Sequence, residues 1–307
     1  MAKAKKKVKG GGIAAFILVA AVCAVALHFL DIFTINDWKK LFSDGISEHT
    51  EGTAEVHFID VGQGDCALVI SDGEAMLIDT GEKEYADSVC EYLKDQGVDS
   101  LKYMLLSHQH SDHMGGASEV IKSIDVENII IPRLPDDMTP TTKFYERFLE
   151  SVQEKGLKLT AAEPGKTYEI GSCTLELLSP VKDYDDLNNF SAAAILTHGN
   201  DSFLFTGDVE KKAEKDILET GRMKSVDVYK AAHHGSNTSN SKDFLAAAAP
   251  EYAVISCGAG NSYGHPHNEA VERIKKYTDE IYRTDIDGTI VFTSSDSGLE
   301  VKTQKGE

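Results

Sequence analysis

Positive charge is scarce in this chain. Its 31 lysines and arginines face 50 aspartates and glutamates, for a formal net charge of −19. Five of those lysines (Lys3, Lys5, Lys6, Lys7 and Lys9) stand ahead of a single apolar run, so the remainder carries −24. Nonspecific grip on a nucleic acid comes from Lys and Arg displacing counterions along the phosphates. An acidic surface therefore repels a polyphosphate and suits a small phosphoester or a wall-linked substrate; it equally serves solubility or adaptation to salt. Cysteine is also sparse, with Cys23 inside the apolar run and Cys66, Cys90, Cys173 and Cys257 beyond it. An even number permits disulfides in an oxidising place, yet none shows paired spacing and three sit in strand-like apolar runs. Buried free thiols are expected, and metal ligation by cysteine is not. Long apolar runs are missing but for one, so this chain by itself is no many-spanned channel. Internal repeats are absent too.

That one run, Ile13 to Leu30, is eighteen uncharged residues, about the length that crosses a bilayer. The lysines before it are expected to stay cytoplasmic, which places everything after Asp31 outside. The sequence thus divides into a basic cytoplasmic head (1–11), a transmembrane anchor or signal segment (12–31), a linker with one short helix near Trp38 (32–53) and one large domain (54–303). The expected location is the cell membrane, single-pass, with the domain extracellular. Ala24-Val25-Ala26 has the form of a signal-peptidase site, so secretion after cleavage is the alternative. Cys23 lacks the small residue before it that lipid attachment needs.

Chemistry is concentrated in Ser107-His108-Gln109-His110-Ser111-Asp112-His113-Met114-Gly115-Gly116, three imidazoles and a carboxylate within six residues. Tyr103 to Leu106 reads as a buried strand, so the ligands emerge at its end and the glycines open the next helix. His108 and His110, two apart in extended backbone, project the same way and can grip one ion. Asp112 and His113 then reach a second ion across the turn. Imidazole with carboxylate suits zinc best, with manganese or iron open. Two ions about 3.5–4 Å apart need a bridging anion, and the apolar run Phe203-Leu204-Phe205 ends in Thr206-Gly207-Asp208. Asp208 is the bridging candidate.

A third block, Tyr229 to Ser239, follows another strand-like run. One of His233 and His234 is expected to ligate the second ion and the other to face substrate, with Ser236, Asn237 and Thr238 as donors beside them. Gly235 lets the backbone come close. Farther on, His265 is a site candidate, and His267 either caps the following helix or sits at an anion. Asp79 in Asp79-Thr80-Gly81 is a turn former or a carboxylate behind the ligands, and Gln63 and Asp65 lie in a glycine-rich loop bordering the same cleft. Helical periodicity places Phe144, Phe148 and Val152 on one face of Thr142–Lys155, and Glu210–Leu218 is amphipathic too.

The pattern His108-x-His110-x-Asp112-His113 resembles the signature of the metallo-β-lactamase hydrolase superfamily. Val56 to Asp65, Leu77 to Gly81, Asn188-Asn189-Phe190-Ser191, the His233-His234-Gly235-Ser236 block and Tyr263 to His267 resemble, in order, the hydrolase domain of ComEC-type competence proteins, the DNA-uptake channels. The resemblance spans residues 54 to 303. It implies an α/β fold, the αββα four-layer sandwich, here preceded by a single N-terminal transmembrane helix. It selects His234 as the ligand and His233 as the substrate-facing residue, puts Asp79 behind the ligands, and sets Asn189 with the supporting or substrate contacts. Many superfamily members give the first ion a third histidine; His198, at a hairpin tip, is the one histidine at hand, and its position reads as a solvated turn.

The expected enzyme is a hydrolase with two divalent ions, Zn2+ or Mn2+, that make hydroxide available near neutral pH. Its metal set is His108, His110, Asp112, His113, Asp208 and His234. Asp112, His233 and His265 act on the reaction, and His233 or His265 meets the departing oxygen. A phosphoester or phosphodiester is the expected substrate, with DNA as a further partner and the membrane met through the N-terminal helix. Lys230, Lys242 and Arg283 are the cations near the cleft. The alternatives are a DNase related to competence DNA uptake, a lactone or ester hydrolase with an apolar pocket, and a binding module whose metal site is broken.

Overall fold

Strands whose residues are buried on both faces read as near-continuous apolar runs, and Ala67–Ser71 and Glu74–Ile78 are of this kind. In the computed structural model, which describes residues 52–306, such strands form two sheets. The first has eight strands in the order β15-β14-β1-β2-β3-β4-β5-β6. They are β1 Ala54–Phe58, β2 Ala67–Ser71, β3 Glu74–Ile78, β4 Ser100–Leu105, β5 Asp125–Ile131, β6 Leu159–Ala161, β14 Ile290–Ser295 and β15 Gly298–Thr303. The second has seven, in the order β13-β12-β11-β10-β9-β8-β7. These are β7 Thr167–Ile170, β8 Cys173–Leu177, β9 Ala194–His198, β10 Asp201–Phe205, β11 Val228–Lys230, β12 Tyr252–Ile255 and β13 Glu280–Arg283.

Alternation along β2 shows how the layers arise. Leu68 and Ile70 join a cluster with Leu93, Val120, Phe148 and Val152, which come from helices Ala86–Asp95, Ala117–Ser123 and Lys143–Glu154. Ala67 and Val69 point the other way, into a cluster with Leu175, Leu196 and Phe203 of the second sheet. A third cluster seats helices Lys211–Glu219, Lys242–Ala248 and Asn268–Ile274 on that sheet's outer face. The order helix, sheet, sheet, helix is the expected sandwich. The two amphipathic stretches appear as Lys143–Glu154 and Lys211–Glu219.

Each sheet is part antiparallel and part parallel. β3 to β6 pair in parallel in one, and β10 to β13 in the other. Parallel strands deliver their carboxyl ends to one edge, where α/β folds place their sites. Asp79 follows β3, Ser107 to His113 follow β4, Asp208 follows β10, His233 and His234 follow β11, and Ser256 follows β12.

The head, the apolar segment and all but the last two residues of the linker lie outside the described residues. Among the described residues no helix is long and apolar enough to cross a membrane. Cys66, Cys90, Cys173 and Cys257 are free and buried, as expected. His198 is not the solvated turn residue its position suggested. It pairs with Asp201 at the start of β10, at the opposite end of that strand from Asp208, roughly 15 Å or more away at a strand's rise per residue. It is buried rather than solvated, with Nδ1 2.7 Å from Ser294 Oγ.

Candidate metal centre

The loop after β4 turns back on itself within ten residues, and two glycines make this possible. A Cβ on Gly115 would meet the Ser111 carbonyl oxygen at 2.3 Å and the Lys83 nitrogen at 2.8 Å, and one on Gly116 the Thr80 carbonyl oxygen at 2.8 Å. Close packing against the Asp79–Lys83 segment thus points His108 and His113 inward, both fully buried.

Six of the expected ligands converge. His108, His110 and Asp208 offer nitrogen or oxygen atoms within 4.8 Å of one another, and so do Asp112, His113, Asp208 and His234. Asp208 belongs to both groups. Its Oδ1 lies 3.2 Å from His113 Nε2 and 3.6 Å from His234 Nε2, while its Oδ2 lies 3.8 Å from His108 Nε2. His108 Nε2 and His110 Nδ1 face each other at 2.9 Å, and Asp112 Oδ2 is 3.3 Å from His234 Nε2.

Divalent ions fit this set. Among the described residues, the buried His113 Nε2, His234 Nε2 and Asp208 Oδ1 complete no well-aligned hydrogen bond despite facing one another, although buried polar atoms rarely go unsatisfied. Burial disfavours a charged His234, yet Asp208, Asp65 and Asp112 outweigh it and push the imidazole up to about 10. A carboxylate field that strong draws a cation, and a metal taking the place must displace protons.

Behind the donors stands a supporting layer. Asp79 accepts from the Ser107 backbone N–H at 2.6 Å, from Ser107 Oγ at 2.7 Å and from His113 Nδ1 at 2.9 Å. That fixes the His113 tautomer and leaves Nε2 free to ligate. His234 Nδ1 lies 3.0 Å from the Ser256 carbonyl oxygen and 3.2 Å from Asp65 Oδ1. Asp65 is buried under the cluster rather than bordering the cleft. Lys230 is no rim cation either: it is 3% exposed, and its Nζ reaches Asp65 Oδ1 at 2.9 Å. Burial favours a protonated Asp65, but Lys230, then His234 and His113, hold it well below the usual range. His108 Nδ1 has only hydroxyls beside it, Ser107 Oγ at 3.1 Å and Ser191 Oγ at 3.3 Å.

A cleft of about 420 Å³ opens over the cluster, lined among others by Gln63, Asp112, Asp208, His233, His234 and His265. His233 and His234 sit in a left-handed turn, φ 52° and 51°, followed by Gly235 at 76°. Successive side chains consequently diverge. His234 is buried among the donors, whereas His233 is partly exposed, with Nε2 3.6 Å from Asp208 Oδ2 and Nδ1 3.3 Å from Thr238 Oγ1. Burial first, then the neighbouring imidazoles of His234 and His233, push His265 down to about 4.

Other expected residues sit elsewhere. Asn189 is buried, and its Oδ1 accepts from the backbone N–H of Glu210 and Ala213, both at 3.1 Å, bracing the segment after Asp208. Its neighbour Asn188 lines the cleft instead. Neither Ser236 nor Asn237 is among the lining residues: Ser236 is buried against Thr238, and the exposed Asn237 donates its backbone N–H to His267 Nδ1. His267 holds the cap position of Asn268–Ile274 without a side-chain capping bond. Arg283 pairs with Asp285, and Lys242 opens its helix. Ser191 and Tyr263 belong to blocks that carry the resemblance but had no expected role, and Lys230 was expected at the rim; an isolated lysine ending an apolar strand was the available signal for its burial.

The metallo-beta-lactamase superfamily model matches residues 59–259. In sequence the chain is similar to ComE operon protein 3 of Bacillus subtilis, at 30% identity over 78% of this chain and 33% of that protein. It is similar to Recombination protein 2 of Haemophilus influenzae, at 30% over 88% of this chain and 32% of that one. Competence protein ComA of Neisseria gonorrhoeae matches at 30% over 93% and 40%. The chain thus spans about a third of the length of these relatives. In fold it is similar to CmlA, a diiron β-hydroxylase from Streptomyces venezuelae, with a TM-score of 0.52 and 12% identity over 76% of this chain and 53% of that one. Igni18, a metallo hydrolase from Ignicoccus hospitalis, gives a TM-score of 0.50 and 17% identity over 78% and 98%.

Proposed function

The chain belongs to the metallo-beta-lactamase superfamily, and from that membership we propose that it is a metal-dependent phosphodiesterase, anchored by residues 12–31 with its domain outside the cell. The observation that carries this reading is the buried set of unpartnered donors at the floor of the cleft. His108, His110 and Asp208 would hold one divalent ion; Asp112, His113, His234 and Asp208 would hold the other. Bound there, zinc or manganese supplies Lewis acidity and water acidic enough to attack near neutral pH.

The chain's own residues do the rest. Asp79 and Asp65 keep the Nδ1 atoms of His113 and His234 occupied and their Nε2 atoms turned inward. Among the described residues no lysine or arginine lines the cleft, so bound ions would have to meet a substrate's negative charge. Gln63, Thr142 and Asn188 line the cleft with side-chain donors for ester oxygens, which suits a polar diester better than a lactone. His233, on the cleft wall beside Asp208, would meet a leaving oxygen, its ring steadied by Thr238 and Glu210. His265 is neutral at pH 7 and acts there as a hydrogen-bonding group.

Similarity to competence proteins favours a second reading, a nuclease acting on DNA. The two part on salt. Cleavage of long DNA falls steeply with added monovalent salt because counterion release drives binding, whereas a compact diester held at a buried centre responds little. The test is to assay the protein with Mn2+ or Zn2+ against bis-p-nitrophenyl phosphate, DNA and a lactone panel across a salt series. Turnover of the small diester with a flat salt response is expected; lactone cleavage without diester cleavage would sink the proposal. Protease added to intact cells is expected to remove the domain and leave the N-terminal lysines protected, and full protection would reverse the topology.

A further inference from the structure

Tyr263 stands out among the large side chains at the surface. It is 64% exposed, and it sits at the mouth of the cleft above the donor cluster. Its loop is firmly held. Asn261 Oδ1 accepts the backbone N–H of Tyr263 at 3.1 Å and of His265 at 3.0 Å, while Asn261 Nδ2 donates to the carbonyls of Gly258 and His265. One face of the tyrosine ring lies on His265, with centroids 5.7 Å apart and planes 18° apart. His265 in turn lies over His234, at 6.0 Å and 29°. Three rings therefore step from a buried donor out to the rim, and the last leaves one broad face to solvent.

Two clefts meet at this ring. A second one, of about 640 Å³, shares Gln63, Asp112 and Tyr263 with the first. It carries Asp60, Glu82, Glu84 and Asp285 against one cation, Lys305, which is itself 3.6 Å from Asp60. A further phosphate entering there meets like charge at close range. An uncharged planar ring meets none, and at the junction it finds a rigid aromatic surface that loses little freedom on binding.

We infer that Tyr263 is a stacking platform for the base of a nucleoside phosphodiester whose phosphate lies at the donor cluster. This deepens the phosphodiesterase reading and rests on it. Stacking on tyrosine tolerates every base, because each has a π-face, so the residue selects for a base and not for a sequence. Tyr263 is a specificity residue, separate from the groups that meet the reacting atoms.

Two esters with the same leaving group isolate the effect: thymidine 5′-(p-nitrophenyl) phosphate and methyl p-nitrophenyl phosphate. The wild-type protein is expected to favour the nucleoside ester in kcat/KM. Tyr263→Ala and Tyr263→Leu reduce that preference roughly ten-fold, through KM, while Tyr263→Phe keeps it, since the ring and not the hydroxyl is at work. An unchanged preference in Tyr263→Ala, or Tyr263→Phe behaving like Tyr263→Ala, overturns the inference. Calorimetric binding of thymidine monophosphate against methyl phosphate to the Mn2+-loaded protein separates the two claims. If neither ester is hydrolysed, the phosphodiesterase reading falls. The platform still stands if thymidine monophosphate binds more tightly and Tyr263→Ala removes the advantage, and it falls if the two phosphates bind alike.

Discussion

Around Asp208 the donors fall into two halves with different backing. His113 hands its Nδ1 to the buried carboxylate of Asp79, and His234 hands its own to the Ser256 carbonyl beside Asp65. Asp65 is itself held by Lys230. His108, in the other half, has only the hydroxyls of Ser107 and Ser191 behind it, and His110 is partly exposed. A carboxylate behind an imidazole fixes its orientation and raises its basicity, and a hydroxyl does so less. The four-donor half would therefore hold its ion more firmly, and the three-donor half would be where an ion exchanges more readily. The difference originates in the sheets, because the braces come from strand ends of both.

The sharpest way to break this comparison is to remove what the halves share. Asp208→Ala is expected to abolish hydrolysis and empty both positions, read as metal content per chain; two retained ions with full activity would end the two-centre account. Next in size comes Lys230→Met. It strands a buried carboxylate, which costs about 3–5 kcal/mol, seen as a fall in melting temperature. The sign with pH follows from Asp65, whose folded value lies below its ordinary 3.8. The stability it contributes is present above that ordinary value and disappears as pH falls through the folded one. The gap between variant and wild type is thus widest near neutrality and narrows on acidification below about pH 4; a gap that widens in acid would refute the pairing. Asp79→Ala is expected to weaken metal binding or activity by roughly 10- to 100-fold, while Ser191→Ala changes it by only a few-fold. Equal losses in the two variants would erase the distinction between halves. A graded chelator series sharpens it, with one ion leaving before the other.

Much of the centre was legible because its donors lie in short blocks at the ends of apolar strands. His108 to His113, Asp208 and His234 follow β4, β10 and β11 as their spacing requires. Parallel pairing then brings these ends to one edge. Adjacent residues were harder to tell apart. Asn188 and Asn189 differ in sequence by one step, yet one lines the cleft and the other braces the chain, because both sit in the 3-10 turn Asn188–Phe190, where successive side chains point to different sides. Ser236 and Asn237, expected as donors beside His233, lie outside the cleft lining because the turn at Ala232–Gly235 aims His233 into the cleft and carries the next residues past it. Lys230 was misplaced since its partner, Asp65, lies far away in sequence, and charge alone suggested the surface. Tyr263 stood within the matched block Tyr263 to His267 but was given no role, as nothing in composition distinguishes an exposed tyrosine from a buried one.

The turn that aims those histidines carries a message of another kind. An L-residue in the left-handed region costs on the order of 1–2 kcal/mol, and His233 and His234 occupy it in succession, just ahead of a glycine that does so freely. Mutation favouring folding alone would drift toward glycine at both places. Histidine stands there instead, so the backbone strain falls at two positions whose side chains diverge, one into the buried donor cluster and one into the cleft above it.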